Sequence, residues 1–195
     1  YKSIKKMNKT LKIALLAIAY LAIFILGGTS GLIHPMCYAY VGALLPLLFA
    51  LVYLPTTCTI QNFGAATVLN GFLLILFGAA GEADISLVVG LILLTATAEI
   101  IRFFCGYSEI KGIRFSFIPF ALSFFAYTAH WWTDTEGSLA AAVEEMPAGY
   151  DTMMKPVIDN IPMLIAVVFL TIPVAIIGMR IAERLMKNQI EKLHR

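Results

Sequence analysis

The sequence predicts an all-α integral membrane protein with six transmembrane helices, because of its composition and the spacing of its apolar runs. Of the 195 residues, 60% are hydrophobic and 13% are charged, whereas soluble globular chains are about 45–50% apolar and about 25% charged. A spanning helix needs about 20 mostly apolar residues. The six runs that reach or approach this length are Leu11–Leu26, Pro35–Leu54, Phe63–Ala79, Ile85–Phe104, Ile113–Trp132 and Ile161–Met179. We expect residues 1–195 to form a single membrane domain.

The positive charges predict the orientation of these helices. If both termini are cytoplasmic, 13 of the 14 Lys and Arg residues lie on the inner side and eight of the 12 acidic residues lie on the outer side. Short cytoplasmic connections of membrane proteins carry an excess of Lys and Arg. The sequence therefore predicts two cytoplasmic termini, which requires an even number of spans and agrees with six.

The first three runs differ in their small residues and prolines. Run one carries small residues at Ala14, Ala17 and Ala22, interrupted by Ile18. Run two begins at a proline, which suits a helix start, and contains Pro46, which predicts a kink. Run three is short and rich in small residues. Glycine and threonine near one face of it predict close helix packing.

The later runs contain few polar groups. Glu99 and Arg102, three residues apart near the inner end of run four, predict an ion pair on the helix surface. Pro119 and Pro173 predict kinks in runs five and six. Asn70 lies near the middle of run three, where a polar group must face protein or ligand. Its two interpretations are an interhelical hydrogen bond and a contact to a ligand.

The connection between runs five and six, residues 133–160, is long and acidic. Its segment SLAAAVEEM predicts a short amphipathic helix with Ser138 as the N-cap. Unstructured connections longer than about 12–15 residues are uncommon and often functional. We interpret this segment as a lid over a pocket at the outer face, and the alternative is a solvated connector. Carboxylates outnumber Lys155 at this mouth, which predicts a neutral, zwitterionic or cationic ligand, or an anion held near Lys155.

Polar and aromatic residues gather at the predicted outer ends of the helices. Aromatic walls with a few polar groups are typical of ligand pockets, and the alternative is an aromatic belt at the membrane interface. The candidate substrate-binding residues are His34, Met36, Tyr38, Asn70, Glu82, His130, Trp131 and Trp132. Two lone histidines more often form hydrogen bonds than bind metal, but with Met36 they leave open a haem or a metal chelate as the ligand.

The sequence lacks the common signatures of enzymes. It has no Walker sequence, no HExxH and no GxSxG. Its three cysteines lack CxxC spacing, which argues against a zinc or redox site. We therefore expect no catalytic residue, no metal site and no covalently bound cofactor on this chain.

The runs and the lid together resemble the substrate-binding S components of energy-coupling-factor (ECF) transporters, and within them the Trep_Strep integral-membrane family. The resemblance rests on the segments NKTLKIALLAIAYLAIF, MCYAYVGALLPLLFALVYL, FGAATVLNGFLLILFGAAG and SLAAAVEEMPAGYD and on the closing basic helix. It implies a multi-pass protein of the bacterial plasma membrane that captures a vitamin-like micronutrient at the outer face. It also implies a membrane coupling subunit, the T component, and two cytoplasmic ATPases as partners, with no role for nucleic acid.

The resemblance also implies a docking surface on the first helix, formed by Ala14, Ala17 and Ala22. S components often dock through an Ala-x-x-x-Ala pattern. This chain departs from that pattern because the residue four positions after Ala14 is Ile18, not alanine. Two other functions remain open at this stage: a small gradient-driven carrier or channel, and a membrane assembly protein that does not transport. The first would be expected to carry ionisable residues within its spans.

Overall fold

The computed structural model describes residues 8–191. In this range 85% of the residues are helical, the rest form turns and irregular connections, and there is no strand. The helices are α1 (Lys9–Thr29), α2 (Pro35–Tyr40), α3 (Pro46–Thr59), α4 (Ala65–Ala80), α5 (Ile85–Cys105), α6 (Ile110–Ala121), α7 (Ser123–Thr128), α8 (His130–Thr133), α9 (Thr135–Glu145), α10 (Tyr150–Asp159), α11 (Ile161–Leu185) and α12 (Lys187–Ile190). Short 3₁₀ turns, Ser30–Leu32 and Val41–Ala43, follow α1 and α2.

Four helical segments of the described chain are long and apolar enough to cross a membrane. They are Lys9–Leu32, Ile85–Cys105, Ile110–Thr128 and Ile161–Leu185. The α2 and α3 segments form a fifth if a pair bent by 43° counts as one span. Helix α4 is apolar but has only 16 residues, about 24 Å at 1.5 Å per residue, against a hydrocarbon core of about 30 Å. The predicted helical membrane protein is thus confirmed, and the count of six spans stays a prediction.

The bend in the second predicted run lies where the sequence places Pro46. Proline lacks the N–H that would continue the hydrogen-bond ladder, and Pro46 starts α3 directly after the 3₁₀ turn. Helix α11 packs closely against this break through Gly178, where an added Cβ would lie 2.7 Å from the Pro46 carbonyl oxygen. The predicted kink is confirmed, and it is covered by protein.

The molecule has two chemically distinct ends. Helix α1, helix α4 and the α6–α7 segment run in one direction between the ends, and α5 and α11 run in the other. Arg102, Lys111, Arg114 and Arg180 lie at or near the ends of α5, α6 and α11, and we call this the basic end. The opposite end carries α8, α9 and α10, and we call it the lid end.

A single amide joins four helices in the interior. The hydroxyl of Tyr20 donates to Oδ1 of Asn70 at 2.8 Å. Nδ2 of Asn70 donates to Oγ of Ser123 at 3.2 Å and to Oγ1 of Thr95 at 2.8 Å. These contacts tie α4 to α1, α5 and α7, and Asn70 is only 1% exposed. Of the two interpretations from the sequence, the structure supports interhelical hydrogen bonding.

The predicted ion pair between Glu99 and Arg102 is confirmed, but it is buried, so its expected position on an exposed helix surface is wrong. Their side chains are 2% and 0% exposed, with 3.4 Å between Nη1 and Oε2. Glu99 accepts from the backbone N–H groups of Ala66 and Thr67 at the start of α4. Arg102 donates to the carbonyl oxygen of Ile60 at 2.8 Å. The pair therefore fastens the connection before α4 to the end of α5.

The predicted lid contains two helices. The helix expected in SLAAAVEEM is confirmed as α9, but Ser138 is not its N-cap. Asp134 caps the helix by accepting from the backbone N–H of Gly137 at 3.2 Å, and Ser138 lies inside it. Helix α10 was not predicted, and Pro156 lies inside it. Its buried residues nevertheless follow helical spacing, at Tyr150, Met154, Val157 and Ile158.

Replacing Asn70 with alanine is expected to lower the free energy of unfolding by about 1–3 kcal/mol, because it strands the buried Tyr20 hydroxyl and removes three interhelical bonds. Thr97→Ala is the matched control, since Thr97 is exposed and bonds only to its own helix, at the Leu93 carbonyl oxygen. Thermal unfolding in detergent, followed by circular dichroism, measures both variants. Equal stability of Asn70→Ala and the wild type would contradict the assigned network.

Candidate functional site

A cavity of about 440 Å³ lies beneath the lid, within the usual range for small-molecule sites of about 300–1,000 Å³. It is enclosed by the turn after α1, by α2, by the α4–α5 connection, and by α7 to α10. Its aromatic lining residues are Tyr38, Tyr127, Trp131 and Tyr150, and its acidic ones are Glu82, Asp84 and Glu145. The cavity therefore combines stacking surfaces with negative charge.

Two aromatic rings from distant parts of the chain form one wall of the cavity. The rings of Tyr38 and Trp131 have centroids 4.7 Å apart and are tilted by 32°. Tyr127 packs edge-on against Tyr38 at 5.8 Å. Tyr38 and Trp131 are 8% and 5% exposed, so their orientations are fixed by packing. Such a wall suits the flat or apolar face of a ligand.

The charged lining of the cavity is entirely acidic. None of its described lining residues is Lys or Arg. Asp84 caps α5 by accepting from the Leu87 backbone N–H at 2.7 Å through Oδ1. Lys155 lies outside the cavity and pairs with Asp159 at 3.6 Å on the exposed side of α10. The expectation that Lys155 could hold an anionic ligand is therefore not supported by its position.

His130 joins the wall of the cavity to the lid. Its Nε2 lies 3.0 Å from the Tyr38 hydroxyl, and its Nδ1 lies 3.0 Å from Oγ of Ser138. The single hydroxyl proton of Ser138 is directed to the His130 carbonyl oxygen at 3.1 Å. Ser138 then accepts from Nδ1–H. Which of Nε2 and the Tyr38 hydroxyl donates depends on the protonation state of the ring, so the imidazole keeps both partners in its neutral and its charged form.

Burial lowers the pKa of His130 from its usual value, because desolvation penalises the charged imidazolium. The carboxylates of Asp84, Asp134 and Glu82 act in the opposite direction and do not reverse the shift. Burial therefore favours the neutral imidazole while the lid packs over it.

The lid packs against the elements that line the cavity. Eight residues form a hydrophobic cluster separate from the main core, and we call it the lid cluster: Tyr38, Ala39, Trp131, Ala142, Tyr150, Met154, Val157 and Ile158. The Tyr150 hydroxyl donates to the Gly31 carbonyl oxygen at 2.9 Å, and Nε1 of Trp132 donates to that of Ile158 at 3.0 Å. These contacts fasten α10 to the turn after α1 and to α8.

Four of the eight candidate substrate-binding residues line the cavity, namely Tyr38, Glu82, His130 and Trp131. The other four do not. Nδ1 of His34 accepts from the backbone N–H of Met36 at 3.1 Å and caps α2, while Met36 is 46% exposed. Trp132 supports the lid, and Asn70 belongs to the interior network.

Sequence reasoning missed several residues of the cavity. Tyr127 precedes His130 by three residues, so one helical turn could have linked them. Ser138 was assigned to a cap, and Tyr150 was not singled out. The helical spacing of the lid residues could have indicated Ser138 and Tyr150. That spacing places them at the cavity only once α8 and α9 are known to pack against each other.

The geometry offers little support for metal or haem ligation. The described residues contain no group of three or more His, Cys, Asp or Glu side chains that could hold a metal ion. His130 lines the cavity, whereas His34 does not. Both ring nitrogens of His130 already have hydrogen-bond partners.

The three residues of the candidate docking surface lie on two different faces of α1. Ala14, Ile18 and Ala22 are exposed and follow each other at four-residue spacing. Ala17 is 3% exposed and packs in the main core. The structure therefore removes Ala17 from the surface that a partner could reach and leaves a ridge of Ala14, Ile18 and Ala22.

Comparison with known protein families places nearly the whole chain in one of them. Residues 8–192 match the family model Trep_Strep, described as a hypothetical bacterial integral membrane protein. The match covers nearly the whole chain and agrees with its long apolar helices. No curated protein and no solved structure matches the chain.

Acidification is expected to loosen the lid through His130. An opened lid exposes this imidazole, whose pKa returns toward about 6.5. Between the lowered pKa and that value the open form binds more protons, so the closed form loses stability as the pH falls. Both tryptophans of the chain, Trp131 and Trp132, lie at the lid. Quenching of their fluorescence by acrylamide should therefore rise between about pH 7.5 and about pH 5.5.

The control for this prediction uses the other described histidine. His34→Gln should keep the pH dependence of quenching, because His34 lies outside the cavity. His130→Gln should remove it, since the amide can replace the hydrogen bonds but does not titrate. A wild-type profile that is flat, or one that survives in His130→Gln, would contradict the assignment.

Proposed function

Because this chain belongs to the Trep_Strep family of hypothetical bacterial integral membrane proteins, we propose that it is a substrate-capture S component of an ECF-type importer in the bacterial plasma membrane. The observation that carries this proposal is the cavity of about 440 Å³ beneath a separately packed lid. In this proposal the chain crosses the membrane six times, α4 included. Both termini and the basic end face the cytoplasm, and the lid faces outward.

The cavity lining supports a particular class of ligand. Tyr38 and Trp131 offer an aromatic wall, which favours a flat or partly apolar molecule. The carboxylates Glu82, Asp84 and Glu145 disfavour a multiply anionic one. We infer a vitamin-like micronutrient that is neutral, zwitterionic or cationic. Haem or a metal chelate is the less supported alternative, because both nitrogens of His130 are hydrogen-bonded.

Capture and release would both use the lid. Opening requires the lid cluster to separate and the bond from Tyr150 to Gly31 to break, while the main core remains packed. Motions of lids of this size occur on the microsecond-to-millisecond scale. The chain has no nucleotide-binding motif, so the energy for release would come from two ATPases acting through a membrane coupling subunit. The chain itself would not be an enzyme.

A gradient-driven carrier is the main alternative. It would need ionisable groups along a path through the membrane. The buried pair Glu99 and Arg102 is the strongest candidate for such groups. Its hydrogen bonds, however, end on the backbone of Ala66, Thr67 and Ile60, at the basic end. This arrangement favours a structural role. A membrane assembly protein, the other alternative, would hold no small molecule in the cavity.

Replacing Ala14 with tryptophan is expected to prevent assembly with the coupling subunit and its ATPases, because a bulky side chain on the Ala14–Ala22 ridge blocks close helix approach. The small-molecule content of the cavity should be unchanged, since Ala14 lies near the basic end. Co-purification of the three partners from bacterial membranes measures assembly.

The matched control is Ile181→Trp, which places the same side chain at an exposed position of α11 (43% exposed). It should assemble normally. The proposed function fails if the chain alone transports at full rate in liposomes under an ion gradient. Loss of assembly in both variants would show that the Ala14–Ala22 ridge is not the specific docking surface.

A further inference from the structure

A second concave surface lies at the basic end, between α6 and α11, with a volume of about 650 Å³. It is remote from the lid cavity and shares no lining residue with it. Its basic lining residues are Lys111, Arg114 and Arg180, and its apolar ones are Phe115, Ile118, Ile176 and Met179. We propose that this groove binds an anionic phospholipid, with the phosphodiester at the three cations and an acyl chain along the apolar part.

The charges of the groove are only partly neutralised by the protein. Arg114 donates from Nε and Nη2 to the two carboxylate oxygens of Glu183, each at 2.6 Å. Lys111 and Arg180 have no ion-pair partner among residues 8–191. Three cations less one carboxylate leave a local charge of +2. An anionic headgroup complements this charge, and Lys and Arg are both common phosphate ligands.

The order of polar and apolar residues matches the depth profile of a phospholipid. Along α6, Lys111 comes first and Ile118 follows seven residues later, about 10 Å deeper at 1.5 Å per residue. Along α11, which runs in the opposite direction, Ile176 lies about 6 Å deeper than Arg180. Both helices therefore place cations near their ends and apolar side chains toward the middle of the membrane.

The apolar part of the groove is open to the bilayer. Phe115 and Ile176 are 48% and 41% exposed, whereas Met179 is 2% exposed and forms part of the floor. An acyl chain would cover these surfaces without any polar group being left unpaired. Basic pockets between helices on the cytoplasmic side of membrane proteins are typical lipid headgroup sites. The proposal does not depend on the transport function, since it requires only membrane insertion.

The test uses the full chain in nanodiscs of equal amounts of phosphatidylglycerol and phosphatidylcholine. Lipids that remain bound after extraction into mild detergent are counted by mass spectrometry. The wild type should retain phosphatidylglycerol preferentially. The double variant Lys111→Gln/Arg180→Gln should weaken that preference about 25-fold, roughly fivefold for each charge removed near the membrane surface. Arg114 is kept because its bond to Glu183 joins the two helices.

The charge control is Lys9→Gln/Arg184→Gln, which removes two exposed cations from the same end but outside the groove. It should leave the preference unchanged. Ile176→Trp should fill the apolar part and displace phosphatidylglycerol although every cation is retained. Ile177→Trp, one residue along and outside the groove lining, should not. Circular dichroism and the unfolding temperature confirm that each variant is folded.

Three results would overturn the proposal. The first is equal retention of the two lipids by the wild type, and the second is an equal loss of preference in the two double variants. The third is a wild-type dimer that Ile176→Trp dissociates without changing lipid retention, because this would assign the groove to a second copy of the chain.

Discussion

The structure depends on one constraint: within a bilayer, every hydrogen-bonding group must find its partner inside the protein. The break in the second run is covered by α11 at Gly178. The amide of Asn70 is satisfied by three side chains from three other helices. Nη2 of Arg102 bonds the carbonyl oxygen of Ile60, and the buried Nε of Arg102 is the exception without a partner among residues 8–191. These contacts hold a packed frame. Most remaining irregular backbone then lies at the lid end, where it encloses a cavity.

The lid is built as a separate packing unit on this frame. The lid cluster and the main core share no buried residue, and half-buried Tyr127 packs against both. Elements with few contacts to the rest of a protein open at lower cost than its core. The arrangement therefore allows α9 and α10 to move while the frame keeps its structure. His130 lies at the junction, with one ring nitrogen bonded to Tyr38 of the frame and the other to Ser138 of the lid.

Much of this organisation could be predicted from the sequence, because membrane helices are set by long apolar runs. The kink at Pro46, the helix in the lid and the meeting of Tyr38 with His130 and Trp131 follow from residue type and side of the membrane. The roles of His34 and Asn70 could not be predicted, because a local cap and an interhelical bond use the same polar groups as a ligand site. Helix α10 was not predicted although its buried residues follow helical spacing, and without that helix the sequence could not show that Lys155 lies on its exposed side.

The most direct test of this account is mass spectrometry of the small molecules that the purified protein releases on unfolding. The account predicts a near-stoichiometric ligand without net negative charge in the wild type. Ala141→Trp should abolish it, because Ala141 lines the cavity. Ala140→Trp, at the neighbouring exposed position outside the lining, should retain it. A wild-type protein that releases no such molecule, or an Ala141→Trp variant that retains it in full, would contradict the account.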